Sequence, residues 1–185
     1  FPDTVAYGGW HIDNHVPGGL YTADKVPSFV YEFRGSYDIP YRSYLVKGKT
    51  NLYAGGRCMG ASKLGIASSR VMGTCAIGGQ AIGTAAALCL KGDGDIRHVD
   101  VEALQQTLLR DDCYLPLHEN TDPLDLARGG KVTASSQQAD YPAADILSGV
   151  TRRVEGVHNE WRSDGLSENG EWVRLDLPRT GRIHR

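Results

Sequence analysis

The sequence contains no C-x-x-C. Its four cysteines, Cys58, Cys75, Cys89 and Cys113, have no second ligand cluster beside them. That argues against a zinc site, and the lack of cysteine after Cys113 argues against a disulfide framework. Cys75 and Cys89 lie in an apolar, small-residue run and read as buried small hydrophobes. No window approaches the ~20 apolar residues of a membrane span. Neither sign of charge dominates: 20 Lys and Arg stand against 22 Asp and Glu, a formal net charge of -2, without blocks. Nucleic acid and anionic membranes therefore gain no electrostatic support as partners. No basic stretch precedes a short apolar run at the start, so no signal peptide is read there. No G-x-G-x-x-G occurs, and no internal repeat or low-complexity tract is found.

Glycine is plentiful, 23 of 185 residues, and its clusters mark the organisation. Residues 1–48 mix Gly, Pro and aromatics. Short β-favouring runs at Ser28–Phe33 and Ile39–Val46, bounded by turn formers, predict strands and long loops. From residue 49 the character changes. Asn51–Ala54 predicts a short strand ending at Gly55 and Gly56, then a loop over 57–65. The small-residue run Ser68–Leu90 predicts a helix, set at 74–91, because its length exceeds that of a strand. Gly79 and Gly83 lie four apart on one face, where a backbone or ligand can approach closely. Gly92-Asp93-Gly94 predicts its end. A second helix follows, with Asp100 as N-cap and Val101, Leu104 and Leu108 as its apolar stripe. Residues 117–130 read as a linker. Beyond it KVTASS, EWRSD and EWVRLDL predict short strands, with Val173, Leu175 and Leu177 at the spacing of a half-buried one.

Two constellations carry chemistry. A glycine turn and a helix amino terminus at Met72–Cys75 bring backbone N–H groups and a positive dipole end to one segment. Such an arrangement suits a diphosphate or a flavin carbonyl; a tightly packed strand–helix pair without a ligand has the same pattern. Asp13 and His15, two residues apart on a strand, share a face and make a candidate acid–base pair, or a loop histidine bonded for structure. His11 shares that face, but H-x-D-x-H is a weak metal signature, and no metal site is assigned. Arg42 and Arg70 are candidate anion contacts, or ordinary ion pairs.

The block Ala54-Gly55-Gly56-Arg57-Cys58, then Ser69-Arg70-Val71-Met72-Gly73-Thr74-Cys75, then Gly79-Gln80-Ala81-Ile82-Gly83-Thr84-Ala85-Ala86-Ala87-Leu88 resembles the FAD-contacting block of the FAD-dependent oxidoreductase family. That family belongs to the glutathione-reductase-like flavoproteins. Val5–Trp10 with Asp13 and His15, and Ile39–Arg42, extend the resemblance over residues 1–116. It implies an α/β class, an α+β fragment of the FAD-binding fold. It implies FAD as cofactor, with Gly55, Gly56, Arg57, Arg70, Met72, Gly73, Thr74 and Cys75 holding it and His15 and Asp13 at the chemistry. Lys63 replaces a common family His, and Gly73 a common family Pro. The missing dinucleotide fingerprint is expected before Phe1, so the fragment alone is expected to hold FAD weakly or not at all.

ARGGKVTASS, Pro142–Gly149, Trp161-Arg162-Ser163 and Trp172–Leu177 resemble the start of a discoidin-like, galactose-binding β-sandwich. The resemblance implies a truncated all-β module over 131–185, with Trp161 and Trp172 facing inward. It also favours a carbohydrate-related substrate and a secreted or periplasmic location. The leading expectation is a fragment of an enzyme that transfers hydride through flavin. The competing one is a non-catalytic carbohydrate- or surface-binding protein on a degenerate flavoprotein scaffold. Upstream sequence separates the two.

Overall fold

The computed structural model describes residues 1–152 and 159–183. Residues 153–158 and 184–185, inside the region read as a discoidin-like module, lie outside the described residues. The chain forms two compact units, Phe1–Pro116 and Leu117–Arg185.

In the first unit, β1 (Thr4–Gly8) pairs antiparallel with β4 (Tyr37–Pro40). Between them in sequence, β2 (Ile12–His15) and β3 (Ser28–Tyr31) form a separate antiparallel hairpin. Gly8 lies opposite Tyr37, and a Cβ there would fall 2.4 Å from the Tyr37 ring. Only glycine lets that ring cross the strand. The Tyr37 hydroxyl then reaches Ser68 Oγ at 2.6 Å, which donates to Trp10 O at 2.6 Å.

The strand expected over 39–46 stops at Pro40. A 3-10 turn, Tyr41–Tyr44, follows and buries both rings. Proline has no N–H to extend a ladder, and Tyr41 N instead donates to Asp3 O at 2.6 Å. The strand expected at 51–54 shrinks to one bridge, Leu45 with Tyr53.

The expected helix forms, and a shorter one precedes it. Helix α1 (Lys63–Ser69) falls partly on the expected loop and is capped by Ser62, whose Oγ accepts from Gly65 N at 3.1 Å. Val71 is extended, and α2 (Met72–Cys89) begins after it. Its boundaries lie two residues earlier than 74–91. Gly92 N and Gly94 N both donate to Cys89 O, with Gly94 at φ 81°, so the last turn closes on glycine as expected. Helix α3 (Val101–Arg110) starts at Asp100, whose side chain accepts from Ala103 N at 3.0 Å.

The buried face of α2 is Thr74, Gly78, Ala81, Ala85 and Cys89, spaced four, three, four and four as one helical face requires. It packs into a core with Val5, Ile39, Tyr44, Leu104 and Leu108. The close approach is at Gly78, where a Cβ would lie 2.4 Å from the Tyr44 hydroxyl. Gly79 and Gly83 face open space instead. Among the described residues α2 is the one helix long and apolar enough, by length and composition alone, to cross a membrane. No run had been expected to come near that mark, because Gly, Ala and Cys were read as packing residues.

In the second unit β5 (Lys131–Ala134) pairs with β6 (Val173–Asp176). Two 3-10 turns, Leu126–Gly129 and Ala143–Leu147, complete its regular structure among the described residues. The first lies in the segment read as a linker. One ribbon stands where a sandwich was expected. EWRSD is not a strand there: Gln138 N donates to Arg162 O and Arg162 N to Tyr141 O, while Trp161 Nε1 donates to Ser136 O. These isolated bonds anchor the segment without a ladder. Trp161 is half-buried. Trp172 is 51% exposed, against the expectation of an inward ring. Val173 and Leu175 share a face with their partners Ala134 and Val132, so Trp172 falls on the other side.

Candidate functional site

The hairpin register sets His15 opposite Ser28 and Asp13 opposite Val30. Asp13, His15 and Ser28 thus share one face. Asp13 Oδ2 lies 3.1 Å from His15 Nε2, and Asp13 Oδ1 accepts from the Ser28 hydroxyl at 2.9 Å. Arg70, from the junction between α1 and α2, donates through one terminal nitrogen to Asp13 Oδ2 at 3.2 Å and to the Asp13 carbonyl at 3.1 Å.

The Asp13 carboxyl is held below its ordinary range. The Ser28 hydrogen bond is the largest cause, opposed by partial burial and reinforced by His15 and Arg70. An ionised carboxylate only accepts, so the neutral His15 ring carries its proton on Nε2. Nδ1 is then the free basic atom on a side chain that is 58% exposed. Ser28 gives its proton to Asp13 and not to His15. The cluster therefore lacks the serine–histidine contact of nucleophilic catalysis and leaves His15 as a candidate for proton exchange.

His11 does not join this face. Its Nδ1 accepts from Phe33 N at 3.1 Å, and its ring lies against Trp10. Among the described residues no three His, Cys, Asp or Glu side chains converge as metal ligands. Arg42 is ion-paired with Asp3 and lies over the Phe1 ring.

The glycine turn and the helix start form the other half of the site. Gly55 comes against the middle of α2, where its Cβ would meet Ile82 Cδ1 at 2.7 Å. Gly56 follows at φ 60° and faces open space, a backbone position that disfavours a side chain. Arg57 and Cys58 are exposed on a 3-10 turn, Gly56–Cys58. At the start of α2, Val71 provides no side-chain cap. Met72 is 89% exposed, and nothing stands within 4 Å of a Cβ at Gly73. Thr74 is buried, and Cys75 is half-buried with its thiol 3.7 Å from Ser69 O. The N–H groups of Met72 and Gly73 are therefore open to a ligand, whereas Cys75 N already donates to Val71 O at 3.0 Å.

Of the residues singled out in the sequence, Asp13, His15 and Arg70 come together. Met72, Gly73, Thr74 and Cys75 form the open helix start two residues beyond Arg70. Gly55, Gly56 and Arg57 lie alongside α2 instead of at its end. Ser28 was not foreseen as part of the site. Its place opposite His15 depends on a register that the long segment between the two strands does not encode.

The open start of α2 thus follows directly in sequence on the residue that binds Asp13. Residues 1–108 match the family model described as FAD dependent oxidoreductase. That is more than half of the chain, which belongs to this family. Its cofactor is FAD and its chemistry is redox. The match ends within α3. Comparison with curated proteins and with solved structures returns no match. The residues present fit the cofactor at α2: the uncapped N–H groups, the open space at Gly73 and the left-handed Gly56 leave room for an electron-rich group.

Proposed function

We propose that the first unit presents the amino terminus of α2 to FAD and uses His15 to exchange a proton with the substrate during flavin redox chemistry. One observation carries this reading: Arg70 ties the Asp13–His15 strand to the residue pair that opens α2. The cofactor end and the proton-handling end are thereby adjacent. FAD, when bound, supplies hydride transfer. The chain's residues do the rest. Met72, Gly73 and Thr74 would meet the ring's electron-rich edge with N–H groups, and Cys75, whose own N–H is bonded to Val71 O, would share the positive first turn. Gly55 and Gly56 would let the backbone approach the cofactor, and Arg57, exposed and free of any ion pair among the described residues, would neutralise phosphate. Asp13 would orient His15, whose Nδ1 would take or return the proton.

A carbohydrate-related substrate and a discoidin-like second unit remain part of this proposal. The sequence likeness of Lys131–Ser136 and Trp172–Leu177 supports them, and the antiparallel pairing of β5 with β6 is compatible. A secreted or periplasmic setting follows from the same likeness.

The test is quenching of FAD fluorescence by the purified chain. Gly73→Asp sets a competing carboxylate at the helix start, and the proposal expects roughly tenfold weaker binding, about 1.4 kcal/mol. Arg57→Ala weakens it as well. Binding indifferent to both substitutions would move the cofactor elsewhere. A full-length parent without flavin would favour a scaffold that has lost its cofactor.

A further inference from the structure

We propose that Ser28 and Arg70 are positioning residues that act on His15 through Asp13, Ser28 by anchoring its carboxylate and Arg70 by tying its carboxylate to its main chain. This deepens the reading of His15 as the proton-handling group and rests on it.

Three elements converge on Asp13. Strand β2 provides the carboxylate and His15, β3 provides the Ser28 hydroxyl, and the α1–α2 junction provides Arg70. The oxygens divide the work. Oδ1 takes Ser28, while Oδ2 is shared by His15 and Arg70. Because Arg70 also binds the Asp13 carbonyl, one guanidinium fixes both main chain and side chain of that residue. An isolated aspartate–histidine pair on a half-exposed hairpin orders little, since both side chains keep their freedom to rotate. With Oδ1 anchored by Ser28, Asp13 cannot turn Oδ2 away from His15 without breaking a second bond. The imidazole is then held with Nε2 inward and Nδ1 outward.

Ser28 and Arg70 hold Asp13 from two directions. Ser28 reaches it across the hairpin and fixes the turn of the carboxylate, while Arg70 reaches it from the α1–α2 junction and fixes the carboxylate relative to the strand. Both effects are read in the tautomer of His15, because the ring keeps its proton on Nε2 only while Oδ2 faces it.

The experiment is a ¹⁵N spectrum of the His15 ring in the 185-residue chain, recorded in mildly alkaline solution. Ser28→Ala should lower the fraction of neutral rings protonated on Nε2, and Ser28→Thr, which retains the hydroxyl, should restore it. Arg70→Met, which removes every donor to Asp13, should lower that fraction as well. An unchanged tautomer in either Ser28→Ala or Arg70→Met would overturn the proposal. Where Arg70→Met loosens the hairpin, Ser28→Ala and Ser28→Thr still decide the matter. The underlying reading is tested separately: FAD-loaded protein is photoreduced and its reoxidation by dioxygen followed against pH. An unchanged profile in His15→Gln would remove His15 from the chemistry while leaving the tautomer result standing.

Discussion

Gly78 and Gly79 are neighbours with opposite roles, and a methyl group distinguishes them. At Gly78 a Cβ would fall 2.4 Å from the Tyr44 hydroxyl and 3.0 Å from its ring carbon. Tyr44 is fully buried, and burial pushes its hydroxyl up to about 12, so the ring has nowhere to retreat. Gly78→Ala should cost about 1–3 kcal/mol, the usual penalty of overpacking. Gly79→Ala meets open space in the same helix and should gain up to about 1 kcal/mol from helix propensity. Thermal unfolding of the two variants checks both signs. Asp13 offers a test in pH. Its folded value lies below the ordinary 3.8, chiefly because Ser28 bonds the ionised form. A depressed carboxyl adds stability above its unfolded value and loses it as the pH falls through its folded value. Urea unfolding should therefore separate the parent from Asp13→Asn most clearly above about pH 4, with the gap closing in more acid solution. A gap that does not change with pH would mean that Asp13 is no better bonded folded than unfolded.

Helices were more legible than strands in this sequence, and the reason is local. Asp100, Val101, Leu104 and Leu108 carry cap and stripe within a few residues, and α3 forms with Asp100 capping Ala103 N. Asp100→Ala should cost about 1 kcal/mol, as losing an N-cap does, measurable by denaturant unfolding. The stop of α2 at Gly92–Gly94 was equally local. Helix α1 was not, because Gly60, Ser62 and Gly65 read as loop formers ahead of the junction at Arg70–Val71. The junction is set by tertiary partners: Arg70 turns to Asp13, and Ser68 to Trp10. Strand pairings depend on partners far away in sequence, so the β2–β3 register, and with it the role of Ser28, was hidden. The pairing of Asp13 with His15 was legible because a spacing of two on a strand is a local rule. The likeness that placed Gly55–Arg57 and Met72–Cys75 in one block did not show that the first lies along α2 and the second at its end.

At the scale of the whole molecule, the two units differ in how far their sequence explains them. The first has one core, in which the small face of α2 meets the buried rings and leucines of β4, its following turn and α3. Its membership of the FAD dependent oxidoreductases rests on residues 1–108. In the second unit a carboxylate does much of the joining. Glu171 accepts from Ser135 and Ser136 at 2.6 and 2.7 Å and from Ser167 N at 3.1 Å, tying both strands of the ribbon to one loop. That accounts for the TASS segment by structure, without a sugar. The central claim concerns the first unit: FAD is met by the start of α2 and the glycine turn beside that helix. The most direct measurement is a ¹H–¹⁵N spectrum of the labelled chain during titration with FAD, which reads contacts even when binding is weak. The account predicts that the amides of Met72–Cys75 and Gly55–Arg57 shift together and saturably. Amides at those positions that stay still while others move would contradict it.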